Sequence, residues 1–212
     1  RDRAMRAVAI SNADTDHARD LIDQMHRLRA RIFGGRLGWN VQIEEGRELD
    51  EYDRLGPTYI LAVTPSDTVV GCARLLPATG PTMLEWTFPQ LLDGRKLRTH
   101  RGMIEASRFC VDTTANSAVS SRTLHQATLT LFAAVIDWSM ANDYREIVMA
   151  TDVRFERILQ RAHWPMRRLG EVRLIGETIS VAGTLPADRI SFEKVCPPGY
   201  VSEFGARAAV AA

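Results

Sequence analysis

Residues 59–76 read YILAVTPSDTVVGCARLL. Tyr59 to Thr64 is an unbroken, mostly apolar run, Pro65, Ser66 and Asp67 form a turn cluster, and Val69 to Leu76 is a second apolar run. Two such runs closed by turn residues read as buried-type strands of a hairpin. Upstream, Met5 to Ile10 reads as a short strand. A helix follows from a cap at Asn12 or Asp14, with Leu21, Ile22, Met25, Leu28, Arg29 and Ile32 at helical spacing, and Gly34, Gly35 and Gly38 end it. Residues 40–58 have no clean periodicity. Downstream, Ile104 to Val111 is a strand, Ser117 to Asn142 a long helix, Glu146 to Ala150 a strand, and Val153 to His163 a helix stopped at Pro165. Val172 to Ile175 and Thr178 to Val181 are late strands. A hairpin followed by alternating strands and helices predicts an α/β chain, with a mixed twisted sheet and helices on both faces.

Composition agrees with one domain over residues 1–212. Hydrophobic residues are 45% and charged residues 25%, the proportions of a globular core with a solvated surface rather than a disordered, collagenous or coiled-coil chain. Lys plus Arg is 27 against 26 for Asp plus Glu, so the basic excess of a dedicated nucleic-acid binder is missing. Cys72, Cys110 and Cys196 are odd in number and widely spaced, and the five histidines form no ligand cluster, so neither a disulfide framework nor a metal site is expected. The N-terminal residues show no signal-peptide pattern. The most apolar window, Leu129 to Trp138, is about half the length of a membrane span. A soluble protein of a reducing, cytoplasmic compartment is the expectation, with neither membrane nor nucleic acid as partner.

One constellation stands above this background: Arg29, Phe33 and Trp39, then Asp50 and Asp53, then Arg74, Phe88, Glu105, Ser107 and Arg108. The local strings are RARIFGGRLGW, ELDEYD, VVGCARLLPATGPTML and IEASRF. Together they resemble the acyl-homoserine-lactone synthases, the autoinducer synthase family of bacterial quorum sensing. That family carries R-x3-F-x5-W, D-x2-D, a GxxRL strand, a later Phe and an E-x-SRF strand in this order and with matching gaps. Where the family usually has Gly, before Trp164, this chain has His163, at the end of a helix. The resemblance implies a fold similar to the N-acetyltransferases and two substrates, S-adenosylmethionine and an acyl thioester of acyl carrier protein or coenzyme A. S-adenosylmethionine is then a substrate, and no cofactor is expected. Its amine attacks the acyl carbonyl, and its carboxylate then closes on Cγ and expels methylthioadenosine.

The residues suit that chemistry. A sulfonium gains about 0.5–2 kcal/mol over an aromatic face; Phe33, Trp39 and Phe88 are the candidate rings, and Asp50 and Asp53 the anions. Arg29 and Arg108 are candidate clamps for the α-carboxylate, because a guanidinium pairs a carboxylate bidentately. Glu105 is the candidate to hold or activate a water that takes the amine proton, with Ser107 and Arg108 beside it. A buried Arg74 requires a partner acid such as Asp50 or Asp53, which makes it architectural. On a regular strand Glu105, Ser107 and Phe109 face one side and Arg108 the other, so a bulge is needed if Glu105 and Arg108 are to meet one substrate. Splayed strands bearing Cys110, Val148 and Met149, with Leu131 from a helix, are the expected acyl slot. Thr151 borders it, at a place where some members of the family use Thr to favour a 3-oxo chain.

Charge is segregated along the chain. Residues 44–53 hold six acids against Arg47, and residues 154–173 hold six arginines against Glu156 and Glu171. Arg154, Arg157 and Arg161 share one helix face, a surface that would suit an acidic acyl carrier protein or coenzyme A phosphates. Taken singly, each feature has a plainer reading: the aromatics as core, D-x2-D as a cap, the basic helix as a solvated face. The competing function is an acetyl-CoA-dependent N-acetyltransferase of similar fold. Its pyrophosphate loop, Q/R-x2-G-x-G/A, has no counterpart between Val111 and Ser121.

Overall fold

The computed structural model describes residues 5–36, 41–112, 121–200 and 204, leaving out the side chains of 36 and 121–124. β1 (Arg6–Ile10) leads into α1 (Asp16–Arg29), which winds on as a π-helical stretch over Ala30–Arg36. A small ribbon, β2 (Ile43–Glu44) with β3 (Arg47–Glu48), precedes a 3-10 turn at Glu51–Leu55. The hairpin follows as β4 (Thr58–Val63) and β5 (Val69–Pro77). Then come α2 (Met83–Trp86), a 3-10 turn at Pro89–Leu92, β6 (Met103–Val111), α3 (Ser121–Ala141), β7 (Glu146–Asp152) and α4 (Val153–Arg161). β8 (Arg167–Arg168), β9 (Arg173–Ile175), β10 (Thr178–Pro186) and α5 (Arg189–Val195) complete the chain.

The sheet runs β1-β4-β5-β6-β7-β10-β8, with β9 added to β10. Only the β6–β7 pair is parallel among the described strands. Helices cover both faces. Leu21, Met25 and Leu28 of α1 pack with Tyr59, Leu61 and Cys72 on one, and Leu131, Phe132 and Val135 of α3 pack with Ile60, Ala73 and Ala106 on the other. β4 and β5 are therefore apolar on both sides, which is why residues 59–76 read as continuous runs. No described helix is long and apolar enough to cross a membrane.

Two irregularities shape the middle of the sheet. Cys72 pairs with Cys110 and Arg74 with Ser107, so β6 spends Arg108 and Phe109 where β5 spends only Ala73. This is a β-bulge, and Arg108 sits in it with φ +52°. The parallel ladder stops at Glu105↔Val148. Beyond that pair β6 stays with β5 and β7 stays with β10, and the sheet opens between them.

The ends of several elements differ from expectation. Thr15, not Asn12 or Asp14, caps α1, its hydroxyl accepting from the Ala18 N–H at 3.1 Å. The chain stays coiled through Gly34 and Gly35 and carries Phe33 inward. β10 runs to Pro186 because its burial against β7 outweighs the weak strand preference of Gly183. At the end of α4 His163 adopts φ +60°. Its N–H donates to the Gln160 carbonyl at 3.1 Å, and the Trp164 N–H to that of Leu159 at 3.0 Å. That is a Schellman close with His where Gly is the usual residue.

Candidate active site

Three guanidiniums and three carboxylates interlock on the α1 face of the sheet. Arg29, at the end of α1, donates Nε to Glu48 at 2.5 Å and a fork to both Asp53 oxygens at 2.8 and 2.9 Å. Arg74, from the middle of β5, forks onto Asp50 at 2.5 and 3.1 Å and reaches Asp53 at 2.9 Å. Arg108 donates to Glu48 at 3.0 Å and pairs with Asp50 at 2.8 Å. The D-x2-D pair is also a capping box. Asp50 accepts from the N–H groups of Tyr52 and Asp53, and Asp53 accepts from the N–H of Asp50 at 2.8 Å. The acidic stretch is thereby folded back onto the arginines. Burial opposes ionisation of Asp53, but Arg29 and Arg74 outweigh it and hold the carboxyl well below the usual range. Burial and the Asp53 charge push the Tyr59 hydroxyl up, and it donates to Asp53 at 2.7 Å.

Exposure divides the cluster. The side chains of Arg29, Arg74 and Glu48 are 0% exposed and that of Asp53 4%, whereas Arg108 and Asp50 keep 11% and 10%. Both carboxylate partners of Arg29 are thus internal, and it is as deeply buried as Arg74. Phe33 is 2% exposed and its ring lies under the Arg108 guanidinium at 5.5 Å. Phe88 is half-buried against Leu84, Met83 and Tyr52. Trp39 lies outside the described residues. Arg74 Nε donates to the Ser107 hydroxyl at 3.1 Å, which makes Ser107 a positioning group here.

Glu105 lies on the same sheet face, 1% exposed. Its two oxygens accept the backbone N–H groups of Met83 and Leu84 at 2.9 and 2.8 Å, pinning the start of α2. Burial pushes its pKa up to about 7, against the pull of those two N–H groups and of Arg74. The pinned segment places the Met83 sulfur 3.0 Å from Arg74 and 3.6 Å from Arg108.

The other face of the opening holds a narrow apolar pocket of about 10 Å³. β6 lends it Ala106 and Phe109, β7 Ile147 and Met149, and the covering helices Phe132 and Phe155. Met149 lines this pocket, and Thr151 lies two residues further along the same side of β7. Cys110 is a correction. It faces α1, with its sulfur 3.6 Å from that of Cys72, because the bulge that turns Arg108 onto the charged face turns Cys110 with it. Val148 faces away too, and Leu131 packs elsewhere, close over Gly71.

Sequence reasoning passed over Glu48, which bridges Arg29 and Arg108. Its signal was available: Glu48 and Asp50, two apart in extended chain, share a face. Also missed was His26, buried with Nδ1 2.8 Å from the Glu48 carbonyl oxygen, its pKa lowered by burial and by Arg29. Arg154, Arg157 and Arg161 are exposed on α4, and no ion pair joins them to the described residues.

A mixed sheet split beside a bulged strand, with a buried charged cluster on one face and an apolar pocket on the other, is an N-acetyltransferase-like fold. The chain overlays on an N-acetyltransferase-type chain from Lactobacillus plantarum with TM-score 0.56 at 12% identity, covering 88% of this chain and all of that one. A much nearer match is the crystal structure of the acyl-homoserine-lactone synthase LasI, with TM-score 0.80 at 30% identity over 94% of this chain and 98% of that chain. The autoinducer synthase family model matches residues 13–195. An acyl-homoserine-lactone synthase of Agrobacterium fabrum is 61% identical over 198 residues, 93% of this chain and 94% of the relative. The chain belongs to the autoinducer synthases, the acyl-homoserine-lactone synthases.

Proposed function

We propose that this chain transfers an acyl group from a thioester, borne on acyl carrier protein or coenzyme A, to the α-amine of S-adenosylmethionine. The methionyl carboxylate then closes on Cγ, giving an N-acyl-L-homoserine lactone and methylthioadenosine. The thioester leaves as a thiol and one proton is released, so the reaction balances with S-adenosylmethionine as substrate and no cofactor. One observation carries this reading: past Glu105↔Val148 the sheet opens between a charged face and an apolar pocket. An amine held on one side and an acyl chain on the other meet at the opening.

Asp50 and Arg108, the accessible members of the cluster, meet the ammonium and the carboxylate of the substrate. Arg29, Arg74, Glu48 and Asp53 hold those two in place. A free α-amine with pKa about 7.7–8.0 is neutral for roughly a tenth of molecules at pH 7, and Glu105, at about 7, takes its proton through a water. Lactone closure needs no acid because a thioether is a good leaving group. It needs a folded-back chain, and such orientation supplies up to about 7–11 kcal/mol. Arg154, Arg157 and Arg161 receive the acidic donor, in the cytoplasm, where S-adenosylmethionine and acyl thioesters are made.

Purified protein incubated with S-adenosylmethionine and a series of acyl donors tests this. Lactone and methylthioadenosine in equal amounts are expected. Thiol release without methylthioadenosine would instead mark simple N-acetyltransferase chemistry and overturn the reading.

A further inference from the structure

We propose that Trp164 is the stop that sets the longest acyl chain the pocket accepts, and that Ala106 sets the clearance where the chain enters. The inference rests on the acyl reading of the pocket given above. The strand register orients the pocket. Ala106 follows Glu105 on β6, so it stands directly beyond the last β6–β7 pair, at the opening. Leu185 pairs with Ile147 and Pro186 with Glu146, the first residue of β7. The Trp164 indole N–H donates to the Pro186 carbonyl at 2.9 Å. Trp164 therefore closes the pocket at the end remote from Phe155, which follows the C-terminal end of β7.

Trp164 is also held as a stop must be. It is 2% exposed, its polar edge is tied to Pro186, and its ring packs edge-on to Phe132 with centroids 5.5 Å apart. A ring tied by a hydrogen bond and an aromatic contact is held more firmly than the flexible Met149 on the side wall. Ala187 and Val195 belong to the same core cluster, so a smaller residue at 164 opens space bounded by packed protein. Every lining residue is apolar, so the far end discriminates by length and not by a terminal polar group.

The test is internal competition: hexanoyl and decanoyl donors mixed in one reaction with S-adenosylmethionine, with the two lactones quantified by mass spectrometry. The ratio does not depend on how much enzyme is folded. Trp164→Leu should raise the decanoyl-to-hexanoyl ratio by about tenfold or more, and Ala106→Val should lower total use of both donors with the longer one falling more; a methylene in an apolar pocket commands a factor of about 10 or more. Trp164→Phe, which keeps an aromatic wall, should give a smaller rise and carries the test if Trp164→Leu fails to fold. An unchanged ratio in the Trp164 variants overturns the proposal while leaving the synthase reading intact. Absence of lactone from the unmodified protein with every donor would overturn the synthase reading instead.

Discussion

Replacing Glu105 with Gln separates its structural role from its charge. Its pKa rises from 4.5 to about 7 because burial opposes the charge, which is worth about 3 kcal/mol. The folded state therefore binds the proton more tightly than the unfolded chain. The associated stability is full below pH 4.5 and is lost as pH rises through 7. Gln carries no such dependence. Its amide oxygen accepts one of the Met83 and Leu84 N–H groups, but its NH2 faces the other and leaves that donor unpaired, at a cost of about 1–3 kcal/mol at every pH. In urea titrations followed by tryptophan fluorescence, the Glu105→Gln variant should be the less stable protein at pH 5. By pH 8 it should have gained about 2–3 kcal/mol relative to the unmodified chain. His26 titrates alike in both proteins and cancels. A stability gap of constant size from pH 5 to 8 would refute the reasoning. At pH 8, single-turnover acyl transfer by the variant should fall by about 10²-fold or more if Glu105 takes the amine proton, and an unimpaired rate would remove it from that role.

Asp53→Asn breaks a buried carboxylate that answers Arg29, Arg74 and Tyr59 at once, and thermal or urea unfolding should show a loss of about 3–5 kcal/mol. The depressed Asp53 pKa contributes stability above the ordinary Asp value of about 3.9 that is lost as pH falls below it; acid titration of the variant should therefore show a shallower decline there. His163→Gly relieves a left-handed residue in the Schellman close and should raise stability by about 1 kcal/mol with kinetics unchanged. Charge reversal at Arg157 and Arg161 should raise KM for the acyl donor alone, most strongly at low salt. An equal KM at low salt would remove that face from donor docking.

Much of the fold was readable because burial on both faces left its mark: residues 59–76 had to be internal strands, and a charged Arg74 inside them had to find acids. Parity places Glu105 and Arg108 on opposite faces of a regular strand and leaves open a bulge or separate faces; the register shift between Cys72 and Arg74 decides for the bulge. The same inserted residue explains the failure at Cys110. Ala106, Arg108 and Cys110 share a face only without the bulge; with it, Phe109 takes the place in the pocket and Cys110 joins Cys72. Arg29 and Phe33 lie in the cluster that spacing predicts, and both are buried there. Spacing brings residues together without saying which of them touch solvent. α2 is unreadable for another reason: four residues have too little periodicity to show, and what fixes them is the carboxylate of Glu105, 22 residues beyond Met83. Glu48 stands among neighbouring acids of equal charge; its spacing to Asp50 puts the two on one face, and its burial between Arg29 and Arg108 sets it apart.

The two substrates are expected to approach from opposite faces of one sheet and to meet at its opening. A crystal structure of the chain with an unreactive S-adenosylmethionine analogue and an amide analogue of an acyl thioester tests it most directly. The expected result is the amino-acid end of the analogue at Asp50 and Arg108, and the acyl chain along Phe109 and Phe132 pointing at Trp164. Both ligands on the same face of the sheet, or an acyl chain outside that pocket, would contradict it.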